Sequence, residues 1–185
     1  MTVMTRNATV KALDNGVIPE LVNNIILVRG LPGSGKTTVA NMINPNAHTF
    51  RAATDDWFIN KDGKYKFNKA DLVVNHAECQ VWFENRVSKA QGNHTIIIHN
   101  TFTMFWELHP YISFVKGIMD DEDQFRITVI DIYDGGLTDE LLARRNNHGV
   151  GKAVIERMTD RWVPWSWQGY EFYVEGIKSH GKRWA

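Results

Sequence analysis

Cysteine is almost missing from this chain: Cys79 is the only one in 185 residues, which excludes an internal disulfide and fits a reducing compartment. Net charge is missing too. The 21 Lys and Arg are matched by 21 Asp and Glu, so the chain lacks the strongly basic balance of a simple nucleic-acid binder, while a local basic groove stays open. No apolar run reaches the roughly 18 residues of a membrane helix. The first 24 residues carry no apolar stretch ending in a small-residue cleavage site, so no secretory signal is expected. With 43% hydrophobic and 23% charged residues, the chain is too apolar for disorder and suits a single domain in the cytoplasm. Tryptophan is the residue in excess: there are seven, and Trp162, Trp165, Trp167 and Trp184 all fall near the C-terminal end.

The hydrophobic pattern alternates short β-branched runs with amphipathic stretches. Asn24-Ile25-Ile26-Leu27-Val28-Arg29 reads as a buried strand, residues 36–43 as a helix, residues 48–53 as a second strand and residues 60–66 as a polar turn. Residues 69–91 form the longest helix candidate, with Leu72, His76, Cys79, Phe83, Val87 and Ala90 on its apolar stripe and Gly92-Asn93 as its stop. On that stripe His76 and Cys79 read as core. Thr95 to Ile98 is a third strand, residues 101–118 an aromatic-rich helix with Pro110 at a start or kink, residues 119–123 an acidic loop, and residues 125–133 a further strand. Thr138 caps a short helix with Asp139 and Glu140 in its first turn and Arg144 and Arg145 in its last, the charge order a helix dipole favours. A last helix covers residues 151–162, with Ile155, Met158 and Trp162 on one face. Such alternation predicts a three-layer α/β/α domain around a mostly parallel sheet. Residues 24–162 form the domain, residues 1–23 read as an extension with a hairpin signal at Asn15-Gly16, and residues 163–185 as a Trp-rich segment packing on the same domain or meeting a protein partner.

Gly30-Leu31-Pro32-Gly33-Ser34-Gly35-Lys36-Thr37 fits G-x-x-x-x-G-K-[ST] without a mismatch, after a strand and before a helix. Glycines let the backbone turn so that successive N–H groups converge on a phosphate, and the helix beginning at Lys36 adds its dipole. Lys36 would reach the β- and γ-phosphates of ATP and Thr37 would ligate Mg²⁺, with Thr38 next along. The nucleotide-binding set is therefore Gly30, Pro32, Gly33, Ser34, Gly35, Lys36, Thr37 and Thr38.

Other segments identify the kind of phosphate-loop protein. Thr54-Asp55-Asp56-Trp57-Phe58, Gly63-Lys64-Tyr65-Lys66-Phe67-Asn68, Ile96-Ile97-Ile98-His99-Asn100-Thr101, Trp106-Glu107-Leu108-His109-Pro110-Tyr111 and Ala143-Arg144-Arg145-Asn146-Asn147-His148-Gly149-Val150 stand in this order. Over about residues 24–162 the chain resembles the P-loop kinases related to phage polynucleotide 5′-kinase and the kinase-like module of cyclic nucleotide phosphodiesterase. The resemblance implies an ATP- and Mg²⁺-dependent kinase acting on the 5′-hydroxyl of RNA or DNA, in a phage-like or bacterial cytoplasm. Asp55 would be the general base on the hydroxyl; a helix cap or metal-side ligand is the alternative reading. Arg144 and Arg145 would be lid arginines on the ATP phosphates, or simply complements to the helix dipole.

The chain departs from that pattern on the acceptor side. Phe58 stands where phage-type kinases have an arginine on the substrate phosphate, Gly149 where they have a second lid arginine, and His99-Asn100-Thr101-Phe102 replaces an acidic residue and Asn-Thr-Asn. Asp56, Arg51, His99 and Thr101 are the remaining substrate-side candidates; His99 is also readable as a packed structural histidine. Arg51, Lys61, Lys64 and Lys66, interleaved with Trp57, Phe58 and Tyr65, would make a stacking and charge-neutralising platform for a nucleic acid, or a set of solvated loop charges. Asp131 resembles the acidic end of an NTPase strand but lies in a later strand, and no role is assigned to it. A small-molecule kinase and a nucleotide-binding regulatory module are the competing functions.

Overall fold

The computed structural model describes residues 2–5, 22–118 and 125–163. Five strands form one sheet: β1 (Thr2–Thr5), β2 (Asn23–Arg29), β3 (Thr49–Ala52), β4 (Thr95–His99) and β5 (Phe125–Asp131), in the spatial order β1-β5-β2-β4-β3. The last four run parallel, and β1 lies antiparallel along β5, Thr2 opposite Asp131 and Thr5 opposite Thr128. The helices are α1 (Lys36–Met42), α2 (Leu72–Ser88), α3 (Phe105–Ile118), α4 (Asp139–Arg145) and α5 (Lys152–Asp160). The expected α/β/α fold with a mostly parallel sheet is the one observed.

Both faces of the sheet are covered, which is why the central strands β2 and β4 carry unbroken apolar runs, Ile25–Val28 and Ile96–Ile98, instead of alternating. Ile25, Leu27, Ile96 and Ile98 face α2 and α3, meeting Cys79, Phe83, Val87, Leu108, Tyr111 and Ile112. Their neighbours Val28 and Ile97 face the other way, onto Ala40 of α1. A third cluster joins Leu31 to Leu142, Ile155 and Trp162, so α4 and α5 pack against the loop that leaves β2. Trp162 is buried as its helix face predicts.

Three sequence expectations change. The strand β1 belongs to the sheet, although residues 1–23 read as an extension; the Asn15-Gly16 signal lies outside the described residues. The buried side of α2 is Asn75, Cys79, Phe83 and Val87, a step-of-four stripe, so His76 is exposed and Asn75 takes its place, donating to the Trp57 carbonyl at 3.3 Å. The long helix also begins later, at Leu72, after a 3₁₀ turn at Lys69–Asp71 that Asn68 caps through the Ala70 N–H. The acidic loop at 119–123 and Trp165, Trp167 and Trp184 lie outside the described residues.

At the C-terminal ends of β2 and β5 a buried ion pair ties the layers together. Arg29 and Asp131 sit in register, Nε 3.0 Å from Oδ1, though not aligned as a hydrogen bond. The Arg29 guanidinium also donates to the Val163 carbonyl at 2.9 Å and lies 4.2 Å from the Trp162 ring centroid. Burial pushes the Asp131 carboxyl up to about 6 against the pull of Arg29, which still leaves the pair ionised at neutral pH. Asp131 is therefore a partner of Arg29 in the core. Removing one member of a buried pair strands the other charge, so Asp131→Ala should lower unfolding stability by about 3–5 kcal/mol. Urea unfolding measures this, and a loss under about 1 kcal/mol would show that water relieves Arg29.

Candidate active site

The loop after β2 folds as a phosphate loop must. Gly33 and Gly35 take φ of 78° and 99°, open to glycine and strained for other residues. A side chain at Gly33 would also collide with the Leu142 carbonyl oxygen, and one at Gly30 would meet Ser34 Oγ at 2.6 Å. The hydroxyl of Ser34 is buried without a hydrogen-bond partner among the described residues, an orphan that a phosphate oxygen would satisfy. Pro32 is buried, while Thr37 and Thr38 are exposed on the first turn of α1. The Lys36 ammonium donates to the Leu31 carbonyl at 3.0 Å, folding back over the loop. Burial pushes Lys36 down to about 8, opposed by the Asp55 carboxylate, whose field reaches it.

That value sets a pH dependence. Phosphate binding needs the charged lysine, so the bound state holds its proton more tightly than the free state. Affinity for ATP should be flat below pH 8 and fall above it, by up to about tenfold per pH unit, until the bound lysine also titrates. Calorimetric titrations at pH 7 and 9.5 in two buffers of different ionisation enthalpy check this; equal affinities would contradict it.

Asp55 lies on a 3₁₀ turn at Thr54–Phe58 that follows β3. Three contacts fix the turn. Asp56 Oδ2 accepts from the Ala53 N–H at 2.8 Å, so Asp56 is the cap and Asp55 is not. Asn100, at the end of β4, accepts from the Thr54 N–H at 2.8 Å. The exposed His76 ring lies 3.1 Å from the Thr54 hydroxyl. Asp55 is left half-exposed, with Tyr65 donating to its Oδ1 at 3.0 Å and His148 Nε2 3.6 Å from its Oδ2. Burial, together with Asp55, pushes the Tyr65 phenol well above its ordinary value, so it remains a donor.

A loop wrapped by Asn146 carries His148. The Asn146 side chain donates to the carbonyls of Ala143 and Val150 and accepts from the Val150 N–H. Gly149 within it has φ 69°, so an arginine there would be strained; loop geometry accounts for that departure from the phage-type pattern. Arg144 is exposed in a surface pair with Glu140, and Arg145 is exposed with no side-chain partner among the described residues.

These features match a known family. A family model described as an AAA domain matches residues 25–164. The chain belongs to that family, and it is a P-loop kinase domain. Human NEDD4-binding protein 2 is 33% identical over 142 residues, which are 75% of this chain and 8% of that protein. The chain thus spans a small fraction of that relative's length. Among solved structures, the Pnkp1/Rnl/Hen1 RNA repair complex aligns with a TM-score of 0.53 at 15% identity, over 91% of this chain and 52% of the other. A gluconokinase from Sinorhizobium meliloti 1021 aligns with a TM-score of 0.48 at 12% identity, over 76% and 75%. At 15% identity the first likeness establishes a shared P-loop kinase fold.

Within this P-loop kinase domain the sequence candidates divide. Lys36, Asp55 and the phosphate-loop residues come together. His99, buried at the end of β4, feels Asp56 and Lys36, and burial lowers its affinity for a proton, favouring the neutral ring. Thr101 contributes its backbone, the carbonyl accepting from the Gly30 N–H at 3.2 Å. Arg51 is the correction: its guanidinium donates to the Ala40 and Ile43 carbonyls and closes the end of α1, so it is unavailable to a substrate. The stacking platform also dissolves, because Phe58 is buried against Tyr65 and Phe67, and Trp57 packs on the core beside α2 and α3. Asn100, Asn146 and His148 had no assigned role in the sequence; all three lay inside motifs that carried the family resemblance. Among the described residues no cluster of three or more His, Cys, Asp or Glu could hold a metal ion, and no helix is long and apolar enough to cross a membrane.

Proposed function

We propose that the chain is an ATP-dependent phosphotransferase that moves the γ-phosphate to a hydroxyl, with the 5′-hydroxyl of RNA or DNA as the favoured acceptor. The observation that carries this reading is the placement of Asp55: a half-exposed carboxylate, on a turn fixed from three sides, within electrostatic reach of Lys36. The left-handed Gly33 and Gly35, the Ser34 hydroxyl without a partner among the described residues and the exposed Thr37 fit a triphosphate and its magnesium ion. Thr37 would ligate that ion, which when bound neutralises charge on the phosphates.

Asp55 then accepts the proton of the attacking hydroxyl. The acceptor oxygen forms its bond to the γ-phosphorus as the bond from that phosphorus to the ADP oxygen breaks. Lys36 and the loop N–H groups would hold the phosphate charge, and Arg145, without a side-chain partner among the described residues, would join them from the lid. Arg144 would first have to leave Glu140, an exposed pair worth little.

A small-molecule acceptor is the second reading, favoured by a specific observation: the two acceptor-side arginines of phage-type kinases are replaced by a buried phenylalanine and a left-handed glycine. Labelled ATP incubated with 5′-hydroxyl RNA, 5′-hydroxyl DNA, nucleosides, nucleotides and sugars separates the two. Label on an oligonucleotide 5′ end supports the first reading, and label only on monomers sinks it in favour of the second.

A further inference from the structure

Helix α4 and the loop after it, residues 139–150 and read as the lid, lie beside both the phosphate loop and Asp55. On one side the lid is packed onto the phosphate loop: the Leu142 carbonyl lies against Gly33, and Leu142 shares a buried cluster with Leu31, Ile155 and Trp162. On the other side it ends in the short loop that Asn146 closes on itself by bonding Val150 in both directions. That closure, with the left-handed Gly149, turns the chain so that His148 meets Asp55 Oδ2 and lays its ring 4.5 Å from the Tyr65 ring. Tyr65 is itself backed by Phe58, which packs on Phe67, and it forms an isolated antiparallel bridge with Ile59.

Asp55 thus has a side chain from each of two loops beside it, Tyr65 hydrogen-bonded to Oδ1 and the His148 ring nitrogen 3.6 Å from Oδ2. A carboxylate on a surface turn otherwise rotates freely about its terminal torsion, and a general base works only when an oxygen points at the proton it takes. Two lone-pair directions on each oxygen leave room for the acceptor hydroxyl beside Tyr65 and His148.

We infer that His148 is a positioning residue through which the lid fixes the carboxylate of Asp55, so that the element covering the ATP phosphates also aligns the base on the acceptor. The inference rests on the reading of Asp55 as the base. Because Leu142 and His148 belong to one short helix and its closed loop, a shift of the lid at Gly33 carries over to Asp55. The acceptor hydroxyl would then meet Asp55 between Tyr65 and His148.

The test is a double-mutant cycle on the full chain, with whichever acceptor the wild type labels. His148→Ala should lower kcat about tenfold with the ATP KM within about twofold, and His148→Gln, which keeps a side-chain N–H, should recover most of the loss. In an Asp55→Asn background the same His148→Ala change should cost less than about twofold, since residues acting as a unit are not additive. A tenfold loss repeated in that background, or a loss confined to the ATP KM, overturns the inference while leaving the base assignment standing. If Asp55→Asn transfers at the wild-type rate, or the wild type labels no acceptor, the base assignment falls and the inference with it. Circular dichroism of each variant confirms that the exposed substitutions leave the fold intact.

Discussion

Lys36→Ala is expected to abolish phosphate transfer, a loss of about a thousandfold or more, in a protein that still folds. The ammonium is the only side-chain cation built into the phosphate loop, and one fixed donor aimed at developing charge is already worth about a hundredfold or more. Its structural duty is small by comparison. It donates to the buried Leu31 carbonyl, and losing that bond costs about 1 kcal/mol. Transfer of labelled phosphate, read beside a melting curve, separates the two effects. A variant that melts normally and still transfers at the wild-type rate would show that the loop binds no triphosphate in the way its geometry suggests.

Asp55→Asn is the second large effect: kcat should fall at least about a hundredfold, the range of a lost general base, with ATP affinity near normal. Asparagine keeps the shape and can still accept from Tyr65, so neither the 3₁₀ turn nor the packing behind it is disturbed. The turn is held by Asp56 and Asn100, which the substitution leaves alone. Affinity changes little because Asp55 acts on Lys36 only through its field, and burial is the larger influence there. Fluorescent ATP-analogue binding beside the transfer assay checks both halves. A fall under about tenfold would reduce Asp55 to orienting the acceptor, since a lost base costs more than that.

The phosphate loop was legible because strand, turn and helix are contiguous and every residue type in it answers a local demand. The parallel sheet was legible for a similar reason: strands buried on both faces must be apolar along their whole length, as Ile96-Ile97-Ile98 is. What failed to show were contacts between segments far apart in the chain. Arg51 reads as a loose loop cation until the carbonyls of Ala40 and Ile43 are placed beside it. Asn75 carries no hydrophobic signal, yet its amide is bonded to the Trp57 carbonyl, and that partner makes its burial acceptable. His148 reads as one letter of a motif, and its approach to Asp55 depends on how Asn146 folds the loop. Phe58 and Gly149 were visible as departures, but only φ at Gly149 and the aromatic packing at Phe58 say what took the arginines' place.

The short strand β1 has a consequence for handling the protein. Because Thr2–Thr5 run antiparallel along β5, that strand is laddered on both sides, and the short β1 takes its place as the edge of the sheet. Removing Thr2–Thr5 would make β5 the edge and uncover a row of unpaired N–H and C=O groups on a longer strand. Such a row is a template for a second molecule. Keeping Thr2–Thr5 leaves a strand of only four residues at that edge, a shorter template for edge-to-edge pairing.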